Sequence, residues 1–316
     1  MRYFKRFANK AFVKGKDKSA IYNFPGRNIL FVPNALVDFV NEIDGISEEE
    51  MFDPRQGLSD KTIRSYVNFL LKEKLGFYTT LPTCFPPIST QYEKPYDVNR
   101  ASIEFIDKEN YQIASAVEEL AMLGCRHLDL RLLSTSFSPD LIMEVLSACE
   151  SGPFRSVVLM YGDPTIREQL SDRFLEQFKK VSRIVTYNAK KDITLEDRIP
   201  TEVLHRNAYS PKRVYETHVI DLDFFAEAQH FNPYYNMRIC VTGEGEIKNC
   251  LNQHQGFGYF ERGALSSTLT DADFKILWHA TPDRISGLRE SELRYAYYSN
   301  RQLTRIAEEE FEYITN

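Results

Sequence analysis

Between Ala101 and Tyr187 the hydrophobic period of the chain switches repeatedly between two and about 3.6 residues. Ser102 to Ile106 reads as a strand, and Ile113, Ala116, Val117 and Leu120 recur at helical spacing until Gly124. Arg126 to Leu132 is the next strand. Ser138-Pro139 then opens a helix as cap and first residue, running to Cys149 and closed by Ser151-Gly152. Ser156 to Met160, a helix started by Asp163-Pro164, and Arg183 to Tyr187 complete the run. Strands separated by helices run parallel, with right-handed crossovers, so this part of the chain is an α/β unit around a parallel sheet. A further strand at Tyr215 to Leu222 makes it an incomplete βα barrel, because a closed eight-fold barrel takes about 250 residues. Functional groups are expected where strands end, at Asp107, Arg131, Tyr161 to Asp163 and Tyr187-Asn188. The same positions suit turn and cap residues, and Asp163 is read as a cap.

Residues 1–80 carry a different pattern. Phe12 to Lys14, Ser19 to Asn23 and Asn28 to Val32 are short strand candidates, the last two joined by Phe24-Pro25-Gly26-Arg27. Leu36, Phe39, Val40 and Ile43 mark a helix that ends at Gly45, and Ser47-Glu48-Glu49-Glu50 is a capping box for a second. Ser59 caps a third, with Ile63, Val67 (beside Tyr66), Leu70 and Leu71 on its apolar face. Three strands and three helices make a winged-helix-like module. Such modules commonly bind DNA, and the third helix does carry Lys61, Arg64, Lys72 and Lys74, although acids crowd the helices before it. Residues 81–100 hold four prolines without periodicity and read as a linker, with Cys84 isolated inside it.

In residues 231–316, Met237 to Val241 and Glu246 to Lys248 are two short strands joined by a glycine-containing turn. Cys250 follows at once, and Gly256 and Gly258 break the chain before Tyr259 and Phe260. A net charge of −6 argues against a broad nucleic-acid or anionic-membrane surface. No apolar run approaches the roughly 20 residues that cross a bilayer, and the first ten residues lack the apolar core of a secretory signal. The five cysteines are scattered and odd in number, which suits reduced thiols in a cytoplasm. Cys250 and His254 form half of a zinc-like spacing without a second pair, and His127 lies inside a strand as a structural histidine would. No nucleophile elbow or glycine-rich phosphate loop is present.

Taken in order, these parts resemble the SPASM-domain peptide maturases of the grasp-with-spasm systems. The resemblance rests on Phe12-Val13-Lys14-Gly15, Ile29 to Asn34, Cys84-Phe85-Pro86-Pro87-Ile88 and Leu123-Gly124-Cys125-Arg126-His127. It continues through Gly245 to Cys250, Trp278-His279 and Pro282-Asp283-Arg284-Ile285. It implies a PqqD-like leader-recognition module (1–80), a linker (81–100), a partial parallel barrel of radical-SAM type (101–230) and a SPASM-like hairpin and helix (231–316). In a PqqD-like module the leader of a precursor peptide adds as a strand to an open sheet edge. Here that edge would be Asn28, Ile29, Leu30 and Phe31, faced by Arg64, Tyr66, Val67 and Leu71. Such systems pair the maturase with an ATP-grasp ligase that forms ester or amide links in a ribosomally made peptide.

The sequence departs from that family where thiolates are needed. The loop after the first barrel strand, Asp107-Lys108-Glu109-Asn110, offers no cysteine for the cluster that binds S-adenosylmethionine. Tyr234 stands where the family places a cysteine before the hairpin, and Leu288, Ser291, Tyr297 and Asn300 stand in the later ones. Cys250 alone remains of the ligand set, so neither a [4Fe-4S] cluster nor S-adenosylmethionine is expected. The expectation is a cytoplasmic RiPP-maturation protein that binds a precursor leader, assists an ATP-grasp ligase and lacks radical-SAM chemistry. It has no membrane or nucleic-acid partner, and a homodimer is left open. Two alternatives stand: a peptide-modifying enzyme with an unrecognised site or cluster, and a winged-helix DNA-binding regulator.

Overall fold

The computed structural model describes residues 1–52, 58–106, 111–133, 138–162, 177–187, 201–204 and 214–314. Its first part is β1 (Tyr3–Arg6), β2 (Lys10–Lys14), β3 (Ser19–Asn23), β4 (Asn28–Val32), α1 (Asn34–Ile43), α2 (Glu48–Met51), α3 (Asp60–Lys72) and β5 (Gly76–Thr79). β2, β3 and β4 form an antiparallel meander, and Arg27 takes a left-handed φ of 48° in the turn between β3 and β4. The caps are those the sequence predicts. Ser47 and Glu50 exchange both bonds of a capping box, and Ser59 Oγ accepts from Thr62 N. α1 buries Leu36, Val37, Phe39, Val40 and Ile43 in one core with Ile63, Val67 and Leu70 of α3. β1 and β5, which the sequence does not announce, pair antiparallel and set fully buried Phe4 opposite Tyr78. Strands of four residues are too short to show a period of their own.

Among the described residues, the centre of the molecule is one sheet of seven strands. It uses β6 (Arg100–Phe105), β7 (His127–Leu132), β8 (Ser156–Tyr161), β9 (Val181–Tyr187) and β10 (Thr201–Leu204), with α4 (Ile113–Met122) and α5 (Pro139–Ser151) between the first three. The expected helix at Asp163-Pro164 lies outside the described residues. β6 to β10 are parallel sequential neighbours, the single winding of a barrel, but the described row does not close on itself, and its β13 end is bonded to residues 257–259. Two findings revise the expected layout. β11 (Glu216–His218) does not extend this sheet; it pairs antiparallel with β14 (Tyr297–Ser299), and α6 (Leu222–His230) begins at the residue where that strand was expected to end. The parallel sheet is extended instead by β12 (Arg238–Val241), which lies beside β6, with β13 (Ile247–Lys248) antiparallel outside it. The hairpin is present as predicted, but its first strand belongs to the central sheet.

Alternation along these strands separates two faces. Ile103, Phe105, Leu128, Leu130, Val157, Leu159, Ile239 and Val241 point into the main core with Ala116, Val117 and Leu120 of α4. Arg100, Ser102, Glu104, His127, Asp129, Arg131, Arg238 and Cys240 alternate with them and share the opposite face. Buried Glu119 of α4 accepts from Gly263 N, Ser266 N and Ser266 Oγ, which ties α4 to α7 (Ala264–Thr268).

The first module is docked on the rest of the chain. One face of its meander holds Val13, Ala20, Tyr22 and Phe24, packed with Phe225 of α6 and Ala296. Tyr22 Oη donates to Glu292 O at 2.9 Å, Lys16 N to Glu290 O at 2.8 Å and Arg294 to Lys14 O at 2.7 Å. Residues 85–99 contain no regular element and lie against their neighbours: Phe85 meets Phe77 edge to face, Tyr92 is tilted against Phe231, and Val98 is fully buried.

Candidate functional site

The first candidate is the outer edge of β4, which among the described residues bonds only to β3. Gly15 N donates to Lys18 O in the β2–β3 turn, and this fixes which residues of the meander bond inward. Along β4, Asn28, Leu30 and Val32 bond to β3, so the N–H and C=O of Ile29 and Phe31 face outward. Two such pairs are what an added strand needs. Side chains divide by face. Leu30 joins the rim of the core that contains Tyr66 and Leu71 of α3, whereas Ile29 packs on the opposite face near Tyr22 and Phe225. Phe31 is 48% exposed, with Lys18 Nζ 4.0 Å from its ring centre.

The other predicted residues of this site differ in placement. Val67 is buried in the core of the module, so it supports the α3 wall from beneath instead of offering surface. Tyr66 leans on Phe39 at 5.4 Å, and Arg64 lies 4.5 Å over the ring of Phe52. Asn28 accepts from Asn23 Nδ2 at 2.6 Å and closes the turn. The structure therefore assigns Leu30, Tyr66, Val67 and Leu71 to one apolar core, and strand alternation sets Ile29 and Phe31 on the other face of β4.

The second candidate is the surrounding of Cys250. Its thiol is buried, with Tyr234 Oη 2.9 Å away, and it reaches Asn252 Oδ1 at 2.8 Å. Asn252 donates to Asn300 O, and Asn300 Oδ1 accepts from Tyr215 N. Burial pushes the Tyr234 phenol well above its ordinary range, so it holds its proton and acts as a neutral hydrogen-bonding group. Tyr234, Cys250 and Asn300 thus meet through one hydrogen-bonded chain that includes Asn252, a residue the sequence did not single out. One thiol, a phenol and carboxamides do not fit the donor set of an iron–sulfur cluster. The loop at Asp107 to Asn110 lies outside the described residues.

The remaining candidates are spread over the sheet. Arg131 has a nitrogen 3.8 Å from Glu104 and another 3.5 Å from Asp129, a compensated cluster at the sheet surface. His127 Nδ1 is 2.8 Å from Ser156 Oγ, and burial among arginines lowers its pKa. Cys240 is buried, and burial pushes its thiol up to about 12, which keeps the proton on and removes it as a nucleophile. Tyr161 is buried, while Asp107, Asp163 and Asn188 lie outside the described residues. Among the described residues no three His, Cys, Asp or Glu side chains converge as a metal site, and no helix is long and apolar enough to cross a membrane. Arg100, Arg238 and Tyr298 converge through hydrogen bonds to the Tyr298 hydroxyl, yet carry no signal in the sequence, because arginines at strand starts look like solvated charge. No family model and no curated protein matches this chain.

Proposed function

We propose that this chain is a peptide-binding protein of ribosomal-peptide maturation. It takes the leader of a precursor as an added strand on β4 and holds the remaining peptide for an ATP-grasp ligase, in the cytoplasm and without radical-SAM chemistry of its own. The observation that carries this reading is the open β4 edge, with outward backbone pairs at Ile29 and Phe31, beside the apolar rim of Leu30, Tyr66 and Leu71. Backbone pairing would supply affinity, and the rim would set register by accepting alternate side chains of the peptide. Tyr234 and Asn300, which stand where the resembled family carries auxiliary-cluster cysteines, join Cys250 and Asn252 in a hydrogen-bonded chain, which favours a structural and not a cluster-binding role for that site.

The test is a fluorescence-anisotropy titration of a labelled precursor leader encoded beside this chain, with wild type and with Phe31→Pro. Proline at 31 deletes one outward N–H and leaves the β3 ladder intact, since Phe31 does not bond inward. Binding should weaken at least about tenfold, one charge-free hydrogen bond plus lost strand geometry. Unchanged affinity in the folded variant would remove β4 from the interface, and no binding by wild type would remove the leader-binding role.

A further inference from the structure

The amino ends of the central strands hold an arrangement that the peptide-binding reading does not use. Arg238 begins β12 and Arg100 begins β6, and the two are directly opposed in the parallel ladder. Like charges at opposed positions repel, and that repulsion normally selects against the pair. Both guanidinium groups nevertheless turn to one phenol: Arg100 donates to Tyr298 Oη at 2.8 Å and Arg238 at 3.2 Å. Their nitrogens are therefore no more than about 6 Å apart, close enough for strong repulsion in a poorly solvated site. Arg238 is only 7% exposed. Its Nε donates to Tyr234 O, and its plane lies 4.1 Å from the Tyr234 ring centre.

Neither arginine forms an ion pair with any described carboxylate. Glu227 of α6 is the acid that acts on Arg100, but it is buried, it accepts from Asn236 Nδ2 at 2.9 Å, and burial raises its pKa. The remaining nitrogens of both guanidiniums bond to no described residue, and none is sealed from solvent. Tyr298 Oη accepts from both arginines, so its own proton is free to be donated outward. Arg126 and Arg155 add positive potential along the same row, where both are felt at His127. A nine-tenths-buried arginine with spare donors, a second arginine and a phenolic proton are the donor set of an oxyanion site.

We propose that Arg100, Arg238 and Tyr298 bind an oxyanion, a carboxylate or a phosphate group, at the amino end of the β6–β12 ladder. The anion bridges the two guanidiniums and takes the Tyr298 proton as a third hydrogen bond. The site lies on the central sheet, so it stands or falls independently of the β4 edge.

The experiment is thermal denaturation and calorimetric titration of the full chain with inorganic phosphate and, separately, acetate, at fixed ionic strength set with chloride. Wild type should show saturable stabilisation by one or both anions, and the two arms separate phosphate from carboxylate recognition. Arg100→Gln should weaken that binding at least about tenfold, since it deletes a charge-assisted donor. Without anion, Arg100→Gln should melt at or above the wild-type temperature, because it relieves an uncompensated repulsion. Tyr298→Phe, which keeps the ring, should weaken binding with both arginines in place. The proposal is overturned if neither anion stabilises wild type beyond chloride, or if Arg100→Gln binds as wild type does. It is also overturned if Arg100→Gln lowers the anion-free melting temperature, which would mark the arginine as structural.

Discussion

At the scale of single residues, the thiols show how burial decides chemistry. Cys84 is the exposed one, and Cys125, Cys149, Cys240 and Cys250 are buried. Burial pushes the thiols of Cys125, Cys149 and Cys240 from about 9 up to about 12. A raised folded pKa means that the native state keeps protons the unfolded state gives up. The stability these groups contribute is complete below about pH 9 and is lost as pH rises toward about 12. The urea midpoint should therefore fall between pH 8 and pH 10.5, and Cys125→Ala should flatten part of that fall. At pH 8 Ellman's reagent should titrate Cys84 rapidly and the buried four only on unfolding. Fast reaction of a second thiol in the native protein would contradict this account of their burial. The family resemblance marked Tyr234, Cys250 and Asn300 as positions of interest, and they do meet. It did not show that Asn252 links them, because an asparagine's partner depends on chain segments about fifty residues away.

At the scale of elements, the alternation from Ala101 was legible because strands buried under helices are apolar on alternate positions and the intervening helices carry caps. The three helices of the first module were legible for the same reason, with the Ser47 and Ser59 caps marking two of their starts. The pairing of β12 with β6 was not legible. Parallel partners more than a hundred residues apart leave no local mark, and the turn after β12 suggested only a separate hairpin. β11 was misplaced because a short apolar-polar stretch before a helix reads the same whether it joins a central sheet or pairs elsewhere. The β2–β3 turn makes a testable contact of its own. A Cβ at Gly15 would lie 2.7 Å from Glu292 N, so backbone meets backbone there with no room for a side chain. Gly15→Val should lower stability by about 1–3 kcal/mol, the range for forcing extra carbon into a packed contact, read from urea denaturation. An unchanged midpoint would mean that the turn does not dock against the 290–294 segment.

At the scale of the whole molecule, the first module is not a bead on a linker. Its meander is covered on one face by α1 and α3 and on the other by α6 and residues 293–296, so its edges are the surfaces left for a partner. Phe225 lies between Tyr22 at 5.4 Å, Phe24 at 5.2 Å and Tyr295 at 5.4 Å. Phe225→Ala should cost about 3–5 kcal/mol and expose the 11–24 meander to limited proteolysis. Amide hydrogen exchange of the full chain, with and without the precursor leader, addresses the peptide-binding account at its root. The account predicts added protection at the outward-facing amides of Ile29 and Phe31, with little change at Leu30, already bonded to β3. Protection absent from β4, or appearing only on the central sheet, would contradict it.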